Sequence, residues 1–122
     1  MPGTNDPRPP FLLIDDGGWI NIYNSTDDLI DDQEPPFVDE VTFLIDSQGN
    51  LMRLVADDDS VHLETLDSEI DLNRLQESVD RFFRAWTDNA PPRHDLPTKD
   101  YLSEIFALYR SATFRGRMRK ER

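Results

Sequence analysis

The chain contains no cysteine. A disulfide framework and a thiolate-bound zinc site are both closed to it, and the absence fits a reducing compartment. Glycine is scarce, five residues in all, and Gly17-Gly18 and Gly49 are too sparse for a loop that cradles phosphate at a helix N-terminus. Histidine is limited to His62 and His94. Neither has the helical i,i+4 partner of a metalloenzyme, and no thiol is present to act as a nucleophile. His94 and Asp95 could be written as an acid/base pair, but adjacent side chains rarely point together. No apolar run approaches the length that spans a bilayer, and residues 1–10, MPGTNDPRPP, lack the apolar stretch of a secretory signal, so the expected location is the cytoplasm.

Basic residues are missing from the first part of the chain. Residues 1–71 carry 18 Asp and Glu against two Arg, a net −16, whereas residues 72–122 carry seven acids against 11 bases, a net +4. Such an acidic surface repels nucleic acid and anionic membrane and steers cationic partners. The same acidity also serves solubility. Arg110, Arg115, Arg117, Arg119, Lys120 and Arg122 form a basic cluster, but a nucleic-acid role for it conflicts with the acidic body.

What is present fits one small domain. Residues 1–10 are expected to form a solvated arm, 11–114 a single α+β domain, and 115–122 a basic tail. The fold is organised around residues 41–66, VTFLIDSQGNLMRLVADDDSVHLETL, which alternate as three strands of a meander. Turns are expected at Ser47-Gln48-Gly49-Asn50 and at Asp57-Asp58-Asp59-Ser60. Before the meander, residues 11–14 and 19–23 flank Asp15-Asp16-Gly17-Gly18 as a hairpin, and Trp19, Asn21 and Tyr23 should share one face. Residues 24–33 allow one helical turn capped by Ser25 or Thr26, and Glu34-Pro35-Pro36 should then force extended backbone.

After Asp67 the apolar period changes from two to 3.6. Leu72, Leu75, Val79, Phe82, Phe83 and Trp86 make a helical stripe, with Asp71 as N-cap and Ile70 against Leu75 as a staple. A Pro-rich loop leads to a second helix capped by Thr98, with Tyr101, Leu102, Ile105, Phe106, Leu108, Tyr109 and Ala112 on its broad apolar side, ending near Gly116. The predicted architecture is an antiparallel sheet of about five strands, a hairpin plus a three-stranded meander, followed by two helices packed on one face.

Candidate binding residues follow from charge and aromatic placement. Trp19 and Tyr23 beside Asp15, Asp16, Asp27, Asp28, Asp31, Asp32 and Glu34 compose an aromatic anchor within an acidic ring, suited to a Lys- or Arg-rich protein. Trp19 is alternatively a core residue. Asp57, Asp58 and Asp59 extend the acidic set. These carboxylates could also ligate a hard cation, but their spacing does not make an EF-hand, and a wet hairpin turn explains Asp57–Asp59 more simply.

Residues 34–86 carry a further pattern: Glu34-Pro35 with Val38, then Phe43, Asp46, Gly49, Leu51 and Leu54, then Leu72, Leu75 and Phe82. In this it resembles a group of small acidic actinobacterial proteins, some of which are similar to immunity proteins of polymorphic-toxin systems. The resemblance implies turn and core positions and transfers no catalytic residue. Charge and resemblance together lead to the expectation of a non-enzymatic binding module of immunity-protein or antitoxin type. It would be a monomer or homodimer without a cofactor, and would neutralise a basic toxin domain. Two other readings stand beside it: an adaptor using the second helix as its interface, and a small hydrolase with a carboxylate-bound metal.

Overall fold

A computed structural model describes residues 7–33, 35–58 and 60–114. The expected tail at 115–122, most of the arm, and the candidate residues Glu34 and Asp59 lie outside these. The chain is α+β, with five antiparallel strands followed by two C-terminal helices. Strands β1 (Phe11–Asp15), β2 (Ile20–Tyr23) and β3 (Val41–Ile45) form one sheet in the order β2-β1-β3, while β4 (Met52–Asp57) and β5 (Ser60–Thr65) form a separate hairpin. The five strands are therefore divided three and two. Helices α1 (Thr26–Asp31), α2 (Leu72–Trp86) and α3 (Thr98–Ser111) complete the fold.

The alternation in β1 explains why the sheet needs cover on both sides. Leu12 and Ile14 stand opposite Ile22 and Ile20 on β2 and Ile45 and Phe43 on β3, all on the face that meets α2 and α3. Phe11 and Leu13 point the other way with Tyr23 and Leu44, against Leu29 of α1 and Met52 and Leu54 of β4. A strand apolar on both faces belongs in a middle layer. The result is three layers: the two C-terminal helices, the three-stranded sheet, and a cover made of α1 beside the β4–β5 hairpin.

The meander bends because its first strand has a better partner. β3 pairs along β1, and only the single bridge Ile45↔Leu51 joins it to the strand that follows. At the bend the Asp46 side chain is fully buried and its oxygens accept four hydrogen bonds: from the amides of Arg8 (3.1 Å), Gln48 (2.9 Å) and Asn50 (2.9 Å), and from Asn50 Nδ2 (3.1 Å). Several N–H donors on one carboxylate compensate its loss of water. The Ser47 amide also donates to the Arg8 carbonyl, so the arm expected to be solvated is docked at residue 8. Gly49 sits at φ +90° with Thr98 Cγ2 3.4 Å from where a Cβ would be, which brings the turn against the start of α3.

The other turns and caps follow local chemistry. Asp58, at φ +49°, occupies the turn between the closing pair Asp57↔Ser60, a conformation that Asp tolerates. Asp71 caps α2 by accepting from the Arg74 amide, and Ile70 packs against the core that includes Leu75. Two local expectations are corrected. Residues Pro35–Glu40 form a 3-10 helix, where extended backbone was expected. Proline permits this because its fixed φ suits the first turn of a helix and its missing N–H has no partner there anyway. Thr98 is the first residue of α3, with Pro97 as N-cap, so its hydroxyl does not cap.

Candidate functional site

Asp15 begins the predicted acidic ring, but its carboxylate is turned into the β1–β2 connection. Oδ1 accepts from the Gly17 amide (2.9 Å) and the Trp19 amide (3.0 Å), which fixes the turn from within. Asp16 is exposed, accepts from Thr42 Oγ1 at 3.1 Å, and donates its amide to the Glu40 carbonyl at 2.8 Å.

Trp19 is not a surface anchor. It is 8% exposed and lies edge-on to Phe82, with centroids 5.1 Å apart, and to Trp86 at 5.3 Å. The expectation that it shares a face with Tyr23 fails because β2 starts at Ile20. Trp19 belongs to the turn and escapes the strand alternation. Tyr23 packs on the opposite side of the sheet, and its hydroxyl donates to Asp32 just past the end of α1.

α1 is one short turn-and-a-half whose only buried residue is Leu29. Ser25 caps it by accepting from the Asp28 amide at 3.0 Å. Asp27 and Asp28 stand in the first turn, where the helix dipole favours anions, and Asp31 and Asp32 follow on the exposed side. α1 lies next to β5, and Leu29 shares a core with Met52, Leu54, Val61 and Leu63 of the hairpin. On the hairpin's outer face Arg53 pairs with Glu64 at 2.9 Å, His62 Nδ1 lies 3.3 Å from Asp57, and Asp57 and Asp58 are exposed. The structure thus brings Asp27, Asp28, Asp31 and Asp32 together with the hairpin acids in one layer. It places Asp15 and Asp16 apart, at the β1–β2 turn.

Three features escaped the sequence reading. Trp86, expected in the core stripe, is 40% exposed and is the exposed large hydrophobic residue among those described. It has the right helical phase, but it is the last residue of α2 and its ring contact is with Trp19 in the β1–β2 connection. His94 pairs with Asp80 across 14 residues, with Nε2 at 2.9 and 3.1 Å from its two oxygens, in place of its neighbour Asp95. In ring contact with His94, Tyr101 has a buried hydroxyl with no hydrogen-bond partner among the described residues. Burial, with the nearby Asp80 charge adding to it, pushes that phenol well above the ordinary tyrosine value. No pattern in the sequence announces a pair so far apart.

The His94–Asp80 contact ties the loop before α3 to α2, an effect reinforced by Gln76 Nε2 donating to the His94 carbonyl at 3.3 Å. Among the described residues no group of three or more His, Cys, Asp or Glu side chains is placed to hold a metal ion. The broad apolar side of α3 is turned inward, with Tyr101, Leu102, Ile105 and Phe106 all buried. Among the described residues no helix is long and apolar enough to cross a membrane. No family model, curated protein or solved structure matches the chain.

Proposed function

We propose that this protein is a non-enzymatic binding module that takes a basic protein partner, in the manner of an immunity protein or antitoxin covering a cationic toxin domain. One observation carries the reading. Asp27, Asp28, Asp31, Asp32, Asp57, Asp58 and Glu64 gather on the α1–hairpin layer, where Arg53 is the basic residue and is already paired to Glu64. The opposite layer is balanced: described residues of 72–114 hold six acids and six bases. Charges gathered on one surface raise the encounter rate with a cationic partner and orient it.

The inward-facing stripe of α3 favours this over an adaptor built on that helix. Phe106 is 5% exposed and engaged in the core.

The test is association with any basic protein encoded beside this one, measured by stopped flow across a salt series. The association rate should fall steeply as ionic strength rises, and Asp→Asn changes at 27, 28, 31 and 32 together should lower it about tenfold or more at low salt. Absence of binding, or a rate indifferent to salt, overturns the reading.

A further inference from the structure

The aromatic anchor that Trp19 does not provide is present one residue layer further out. Five aromatic rings meet at the end of the molecule where the β1–β2 turn approaches the end of α2. Trp19 contacts Phe82, Trp86 and Phe114, with Phe114 at 6.1 Å, and Tyr109 contacts both Phe82 and Phe114. Trp19 and Phe82 are buried, Tyr109 and Phe114 half-buried, and Trp86 is the most exposed ring of the set. It lies edge-on to Trp19, with centroids 5.3 Å apart.

The chain path around this ring is held in place. Thr87 bridges Phe114, its hydroxyl donates to the Phe83 carbonyl at 2.9 Å, and the Asp88 amide donates to the Thr113 carbonyl at 3.1 Å. Acidic residues stand in the two segments that meet here. Asp15 is bound to the Trp19 backbone, Asp16 and Glu40 are exposed and joined through the Asp16 amide, and Asp88 is exposed two positions after Trp86. Arg84 is the nearby cation on α2, and Arg110 is turned toward Asn24.

We propose that Trp86 is a docking point for a guanidinium or ammonium group of the basic partner, which stacks on the indole face and is drawn to it by the chain's net charge of −12. The indole is the strongest of the aromatic faces for a cation, and exposed instances add a modest but measurable increment. A partly exposed Trp in contact with a buried aromatic cluster has the composition of an interface hot spot, and a mainly acidic chain selects a cationic occupant over an apolar one. The proposal rests on the basic-partner reading but assigns a contact outside the α1–hairpin layer.

Fluorescein-labelled octa-arginine, followed by anisotropy with the full-length chain, tests it. Trp86→Leu keeps an apolar side chain of similar reach and removes the aromatic face, and should weaken binding about fivefold. Trp86→Phe should recover part of the loss, and near-UV circular dichroism of the buried Trp19 checks that the fold is kept. If octa-arginine binds the unaltered chain and Trp86→Leu binds equally well, the docking point is overturned and the basic-partner reading stands. If the unaltered chain does not bind octa-arginine at low salt, both fall. A third outcome identifies the occupant as the chain's own residues 115–122. In that case Arg115→Gln, Arg117→Gln, Arg119→Gln and Lys120→Gln together tighten binding fivefold or more, and the gain disappears with Trp86→Leu. That result also overturns the proposal.

Discussion

On one face of the three-stranded sheet, α2 and α3 set eight buried side chains, four of them aromatic: Leu75, Val79, Phe82, Phe83, Tyr101, Leu102, Ile105 and Phe106. On the other, α1 and the hairpin set three, Leu29, Met52 and Leu54, with Val61 and Leu63 half-buried beside them. The first cover is thick and charge-balanced; the second is thin and acidic. Buried apolar area is what holds a small domain together, so the helix side supplies most of the stabilisation. The outer surface of the thin side is correspondingly less constrained by packing, and that is where carboxylates outnumber basic groups. An acidic layer repels itself, and a domain tolerates that where another part of the core is dense.

The largest expected effect removes the pivot of the thick side. Trp19→Ala leaves a hole bordered by Phe82, Trp86 and Phe114 and should cost about 3–5 kcal/mol in urea unfolding. A loss under about 1 kcal/mol would mean that the aromatic cluster is not where stability resides, and the contrast between the faces would collapse.

The next effect falls at the joint between the layers. Asp46→Ala strips the acceptors from three backbone amides and from Asn50 Nδ2 in a fully buried turn, and should cost roughly 3 kcal/mol. Hydrogen exchange separates this case from the first. The amides of Gln48 and Asn50 and of the β4–β5 hairpin should lose protection more than those of α2. Uniform loss across all elements would show that the two covers do not open separately.

The contrast between the covers also explains what could be read in advance. α2 was legible because a long stripe with period 3.6, an Asp71 cap and an Ile70 staple all agree, and consistency between levels is what a sequence records most clearly. Strand positions were legible from alternation and turn residues. Pairing was not. Nothing local states that β3 prefers β1 to β4, since that choice depends on how Phe11, Leu13 and Leu44 find cover from distant residues. Asp46 looked like a turn residue and is also a buried hub, because its donors include Arg8, 38 positions away. At the site, the acids of α1 were recognisable as exposed from composition. The exchange of roles between Trp19 and Trp86 was hidden, because it depends on where β2 begins and where α2 ends.

The smallest effect lies inside the thick side and has the opposite sign. The Tyr101 hydroxyl is buried beside Asp80 and has no hydrogen-bond partner among the described residues, so Tyr101→Phe removes a buried polar group while keeping the ring in place. Stability at neutral pH should stay level or rise by up to about 1 kcal/mol. The pH dependence follows from the raised phenol value. In the unfolded chain this tyrosine releases its proton near pH 10, whereas in the folded chain burial, and then Asp80, hold the proton on at higher pH. The unfolded state therefore binds fewer protons above that point. Stability is fully present below it and declines as pH rises beyond it. Urea unfolding at pH 8 and pH 10.5 should show a steeper decline for the unaltered chain than for Tyr101→Phe. Equal declines would mean that the hydroxyl reaches water, and a Tyr101→Phe loss of more than about 1 kcal/mol would mean that it has a partner.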